Sequence, residues 1–327
     1  MIRTIKTLWT VAAATALEGL QQPVCFLLTL TCVELIILQP IIQLHNFGES
    51  GRLARDSGMA FMLVFGFLTV AFTAGFTLAK EINTGTVSVS ISKPISRHTF
   101  FLGKFSGVIL VLAVFSWCAS LSVLFAERSA EHYMETSEHV GHYSDMVCGI
   151  SALLIPVICL SVAAFLNWKF RFRFGLWFFI LLSILQGMLL LLLGFVSRTG
   201  EYTIQYSLDI QAKIIPAVLL IFMILCIFSA ITVTLSIRLQ TGSTIAVSAV
   251  IMFLGFFADS QFGAGGIINR IIYSMLPDIQ HFWMADALAD GGFIPMSYLA
   301  NSALYSVLYI SLVLSAGMAL FNKRDLG

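Results

Sequence analysis

The sequence predicts an all-α polytopic membrane bundle of about eight transmembrane helices, preceded by an interfacial amphipathic helix, with both termini cytoplasmic. Three observations predict it. The 327 residues are 58% hydrophobic and 11% charged, with a mean hydropathy of +0.94, whereas a soluble domain carries roughly 25% charged residues. The apolar residues form charge-free runs of about 20, the length that crosses a ~30 Å hydrocarbon core as a helix. Lys and Arg gather on alternate connections between those runs. The same figures exclude disordered chains, collagen and disulfide-stapled secreted domains. The formal net charge of +1 says nothing about partners; the positions of the charges say more.

Residues 1–22 come first. Arg3 and Lys6 ahead of an apolar stretch fit a signal peptide. However, Ile2, Ile5, Leu8, Trp9, Ala12, Ala16 and Leu20 form one helical stripe, with Arg3, Lys6, Thr7, Thr10, Ala14, Glu18 and Gln21 on the other side. That pattern predicts an elbow helix lying in the interface, with Trp9 at headgroup level. Pro23 then turns the chain into a single transmembrane domain, 23–327. Its spans fall near 23–44, 57–79, 105–126, 146–168, 174–197, 214–237, 239–258 and 297–321. The last begins near Ser297 because Gly291-Gly292 and Pro295 interrupt the apolar run before it.

Eight spans return the C-terminus to the side of the N-terminus. With both inside, the cytoplasmic cations are Arg3, Lys6, Lys80, Lys93, Arg97, Lys104, Lys169, Arg171, Arg173, Arg238, Lys323 and Arg324, 12 of the 18. The acids agree without having been used: 13 of 17 fall outside. The flipped arrangement reverses both biases.

Several chemistries have no motif here. There is no G-x-x-x-x-G-K-[ST] phosphate loop, H-E-x-x-H or G-x-S-x-G. Five cysteines (Cys25, Cys32, Cys118, Cys159, Cys226) lie within spans and Cys148 near a span end; they read as small buried apolar residues.

The connection between the second and third spans is the most informative. Gly85-Thr86 breaks the second span. Val87, Val89 and Ile91 alternate with Ser88, Ser90 and Ser92, a pattern that fits a short strand or a short helix. Pro94 stops that segment. Ser96 is placed to N-cap a helix starting at Arg97 and running into the third span. The result is a charged elbow over 80–104, which as a bare connector would simply obey the positive-inside rule.

The residues Glu81, Gly85-Thr86, then Lys93-Pro94-Ile95-Ser96-Arg97, then Phe101-x-Gly103-Lys104 give the pattern E-x-x-x-G-T, K-P-I-S-R, F-x-G-K. It resembles permease subunits of ABC-2 type ABC transporters, nearest the branch associated with multi-copper-enzyme maturation and nitrous-oxide-reductase accessory systems. The resemblance implies that 80–104 contains the coupling helix that docks on a separate ATPase subunit. It implies two ATPase chains, which hold ATP and Mg, a second permease chain, identical or homologous, and no cofactor bound by this chain. The chain would be a non-catalytic exporter subunit in the cell membrane (the inner membrane of a Gram-negative cell), surrounded by membrane lipids and without nucleic acid. Such permeases usually have six spans; the extra pair is best placed at 146–168 and 174–197.

Other candidates stand outside that loop. Glu34, midway along the first span, is a functional candidate because a carboxylate at that depth is costly unless neutral, paired or facing a cavity. If the loop 127–145 is helical, His132, Glu135, His139 and His142 share one face with ligand chemistry suited to zinc or copper; a solvated acidic loop explains the same residues. The basic turn Lys169–Arg173 controls topology or meets the ATPase or anionic headgroups. Gly103-x-x-x-Gly107 and Ala71-x-x-x-Gly75 permit close helix contact. Residues 259–292 suggest a partly re-entrant outer element. Alternatives to the exporter reading are an ion-coupled secondary transporter and an integral membrane enzyme; no internal repeat supports the former, and the latter lacks an acid/base constellation.

Overall fold

A computed structural model of the chain describes residues 2–43, 48–79, 81, 96–135, 140–204, 206–207, 209–258, 266 and 276–323. Among these the helices are α1 (Ile2–Leu20), α2 (Pro23–Ile42), α3 (Ser50–Ala74), α4 (Arg97–Ser129), α5 (Met146–Phe170), α6 (Phe174–Leu192), α7 (Ile214–Leu235), α8 (Thr241–Phe256) and α9 (Met296–Asn322). Seven of them, α2 to α7 and α9, are long and apolar enough to cross a membrane. The chain is therefore a helical, multi-pass membrane protein. α8 has 16 residues, about 24 Å at 1.5 Å per residue, and is shorter than the 239–258 span expected.

The boundaries follow local chemistry. Pro23 opens α2 at a position where a missing N–H costs nothing. Ser96 caps α4, its Oγ accepting the Thr99 N–H at 3.1 Å. Asp145 caps α5, its Oδ1 accepting the Cys148 N–H at 2.8 Å. α3 starts at Ser50 rather than near residue 57, so Arg52, Arg55 and Asp56 lie on its first turns. Its last turn, Gly75–Ala79, is a π-helix.

α4 is the axis of the bundle. Its 33 residues span about 50 Å, more than a bilayer core, so both ends project beyond the apolar layer. It packs against α1, α2, α3, α5, α6, α7 and α9. Phe101, Val111, Leu112, Phe115 and Cys118 are fully buried along it. At one end, where α4 begins, lie Lys104 and the end of α3. At the other lies an antiparallel hairpin, His132–Glu135 paired with Val140–Tyr143. Thr241 at the start of α8 touches Gly75, while Leu288 further on accepts from Arg55 near the start of α3. The chain therefore travels from the Lys104 end to the hairpin end between 241 and 288, and α9 brings it back.

α1 forms over the expected residues and divides the expected stripe between a buried and an exposed part. Its buried face runs through Ala12, Thr15, Ala16, Gly19 and Leu20, while Ile5 and Trp9 are exposed. The cause is Gly103 and Gly107 on α4. A Cβ on Gly103 would lie 2.8 Å from the Val11 Cβ, and one on Gly107 2.5 Å from the Thr15 Cβ and 2.8 Å from the Ala12 carbonyl. The Gly103-x-x-x-Gly107 pattern is thus the groove in which α1 lies. The cysteines are free thiols, five of them buried and Cys226 partly so.

Candidate functional site

The motif residues outside the described segments are Gly85, Thr86, Lys93 and Pro94, together with the 87–92 alternation. The remaining six sit at the base of that connection. Glu81 and Lys104, 23 residues apart, meet as an ion pair: Nζ lies 2.7 Å from Glu81 Oε1 and also donates to the Thr77 carbonyl at 3.3 Å. The ring of Phe100 lies 5.6 Å from the same ammonium. Lys104 is 5% exposed, so its charge depends on these partners.

The π-turn makes those partners available. Thr69, Thr73 and Thr77 each donate their hydroxyl to the carbonyl four residues back, at 2.6 to 2.8 Å, a pattern that bends helices. Shifting to i→i+5 bonding reorients the carbonyls. Lys104 Nζ takes the Thr77 carbonyl, and Thr241 Oγ1 donates to the Gly75 carbonyl at 3.1 Å. A Cβ on Gly75 would stand 2.6 Å from Thr241 Cγ2, so glycine is required for this approach.

The other motif residues extend the contact to α9. Arg97 donates to the Asn322 carbonyl at 3.1 Å, a cation at a helix C-terminus. Phe100 and Phe101 stack on Phe321 at 6.2 and 5.9 Å between centroids. Four helices, α3, α4, α8 and α9, thus converge at the base of the 80–104 connection. Thr77, Thr241, Asn322 and Phe321 were not singled out in the sequence. Only their tertiary position distinguishes them from other membrane-helix Thr and Phe.

Glu34 lies on α2 on a partly exposed stripe with Leu27, Thr31 and Leu38. Among the described residues it has no hydrogen-bond or ion-pair partner within the chain.

The helix that would put His132, Glu135, His139 and His142 on one face does not form over the described residues of the outer loop. A hairpin, not a helix, pairs His132 with Tyr143 and Tyr133 with His142, so the two histidines lie on opposite faces. His132 uses both ring nitrogens internally, with Glu127 Oε1 at 3.0 Å and the Ala130 carbonyl at 2.8 Å. His142 is 3.7 Å from Glu131. His139 and the Glu135 side chain lie outside the description. Among the described residues no three His, Cys, Asp or Glu stand together as a metal site.

Two polar assemblies were missed. Arg128, fully buried, pairs with Asp145 at 2.7 Å and donates to the carbonyls of Leu193 (3.0 Å) and Val196 (2.6 Å). It locks α4, α5 and the end of α6. His281 links the segment before α9 to that helix, its Nε2 3.1 Å from Ser302 Oγ and its carbonyl accepting from Tyr298 at 2.6 Å. Of the outer element expected over 259–292, the described part, Gly266 and 276–292, contains two 3-10 turns.

The fold and this polar anchor define a helical multi-pass membrane protein with a partly buried ion pair at the base of one interhelical connection. No protein-family model matches the sequence, and no curated protein matches it.

Proposed function

We propose that this chain is the membrane-spanning permease subunit of an ABC-2 type exporter, coupling ATP hydrolysis by a separate ATPase subunit to outward movement of a substrate. The observation that carries the reading is the Glu81–Lys104 ion pair. Both residues belong to the motif on which the resemblance rests, and they close the 80–104 connection at its base. A coupling element needs such a base, since a push on a loose loop would dissipate in the loop. Here it would be delivered to α3 and α4 through the pair, to α8 through Thr241 and to α9 through Arg97.

In this reading both termini are cytoplasmic and the chain crosses the membrane eight times, α8 completing its crossing with its flanks. Two ATPase chains carry the ATP and Mg, and a second permease chain completes the transporter. Glu34, without a partner among the described residues, faces the substrate path, where water, substrate or the second permease meets its carboxyl group. The chain itself performs no catalysis and sits in the cell membrane.

The test is co-purification. An affinity-tagged chain expressed from its native locus should retain an ATPase bearing Walker and signature motifs. Addition of transported substrates should raise that ATPase activity, and Glu81→Lys should abolish the rise. Isolation of the chain in mild detergent with no ATPase bound, and no ATPase encoded beside it, would sink the proposal.

A further inference from the structure

The turn joining α5 to α6 carries Lys169, Arg171 and Arg173 within five residues. None of them forms an ion pair or side-chain hydrogen bond among the described residues. Lys169 instead lies over the rings of Phe165 and Phe170, at 5.7 and 5.5 Å. Arg171 is the one non-glycine residue with positive φ among the described residues, at 58°. Helices commonly end on a left-handed residue, but usually glycine, because a Cβ is disfavoured there. An arginine in that position spends stability to keep a cation. The turn is held in shape by Asn167, which donates to the Phe172 carbonyl at 2.6 Å.

Beside the turn is an apolar groove of about 470 Å³, lined by Gln21, Pro23, Phe26, Leu27, Phe174 and Gly175 together with Arg173. Phe26, one of its lining residues, stands edge-on to Phe174 and Phe178 at 5.1 and 4.7 Å. Phe170, Phe172 and Trp177 stack in series at 5.7 and 5.4 Å, and Trp168 is 78% exposed. Aromatics grouped in this way mark the headgroup level of a bilayer. Unpaired cations at that level, opening onto an apolar groove between spanning helices, complement one kind of molecule: an anionic headgroup joined to a hydrocarbon chain.

We propose that this groove is a binding site for an anionic phospholipid, its phosphate on Arg173, its surroundings made positive by Arg171 and Lys169, and one acyl chain along Phe26, Leu27 and Phe174. The site is independent of the transport reading; it requires only that the chain lies in a bilayer. An ATPase surface would use the same cations but has no use for an apolar groove.

The purified full-length chain in detergent can be given equal amounts of palmitoyl-oleoyl phosphatidylglycerol and the corresponding phosphatidylcholine, and retained lipid counted by native mass spectrometry. About tenfold preferential retention of phosphatidylglycerol is expected. Arg173→Gln should reduce that preference at least fivefold with an unchanged melting temperature. Arg171→Gly should weaken it while holding or raising the melting temperature, because glycine accepts the left-handed backbone. Leu27→Trp, which fills the groove but leaves every cation in place, should also abolish it. Equal retention of both lipids overturns the proposal. So does preference that survives Leu27→Trp, which indicates only a diffuse positive field, or Arg173→Gln that releases a bound ATPase and leaves lipid preference intact.

Discussion

A single lysine illustrates how costly charges are placed in this molecule. Lys104 is nearly sealed from solvent, and its charge is matched by Glu81, the Thr77 carbonyl and the face of Phe100. Removing one partner of a buried pair leaves the other charge uncompensated. Glu81→Ala should therefore lower stability more than Lys104→Met, because it strands a buried ammonium on the Thr77 carbonyl, whereas Lys104→Met leaves Glu81 as a partly exposed carboxylate. A double-mutant cycle read by thermal unfolding in detergent should return a coupling energy on the order of 1–3 kcal/mol; additive effects would show that the pair is not a joint. The second residue prediction concerns Arg128, whose guanidinium fills the space among α4, α5 and α6 with its carboxylate and two carbonyls. Arg128→Met should cost about 3–5 kcal/mol, the range for breaking a buried pair. Adding Asp145→Asn, which removes the stranded charge but keeps an N-cap for α5, should recover part of that loss.

At the scale of elements, most helices were legible and their faces were not, for one physical reason. Length and absence of charge set the spans, so α2, α5, α6, α7 and α9 fall within a few residues of expectation. The Ser96 cap was legible because capping is local chemistry. The protein-facing side of α1 was not, because lipid is as apolar as a neighbouring helix and hydrophobicity cannot separate them. What distinguishes that side is small size, at Ala12, Thr15, Ala16 and Gly19, matched to Gly103 and Gly107. In the outer loop, His and Glu at mixed spacings fit a helix or a hairpin, and only pairing across 132–143 decides. In the site, Glu81 and Lys104 were legible through their motif, whereas Thr77, Thr241 and Asn322 contribute carbonyls or hydroxyls that no pattern announces. Gly107→Leu should displace α1, since its Cβ alone would meet the Ala12 carbonyl, which cannot rotate away. Overpacking at such a contact costs about 1–3 kcal/mol. Thr15→Gly in the same chain should partly restore the melting temperature, whereas a Gly107→Leu protein as stable as the original would mean that α1 does not dock.

For the whole molecule the question is which end of the bundle faces the cytoplasm, and the two ends are chemically distinct. Arg97, Lys104, Lys169, Arg171, Arg173 and Arg238 lie on elements that begin or end at the Lys104 end; Glu49, Asp56, Glu127, Glu131 and Asp145 lie at the hairpin end. By the positive-inside bias the Lys104 end would be cytoplasmic, and the proposed transporter requires the same, because that end would meet the ATPase. The chain supplies a quiet background for a direct measurement, since five of its six cysteines are buried. Ile204, fully exposed at the hairpin end, and His98, exposed at the Lys104 end, can each be changed to cysteine. A membrane-impermeant maleimide should label Ile204→Cys in intact cells and His98→Cys only after permeabilisation. The reverse result would place 80–104 outside and end the exporter reading. Gly242→Cys and Gly266→Cys then test the short α8. Labelling from opposite sides gives eight crossings and two cytoplasmic termini. Labelling from the same side makes α8 re-entrant, gives seven crossings and puts Lys323 across the membrane from Lys6; that outcome contradicts the Arg97–Asn322 contact, which holds the end of α9 beside the start of α4.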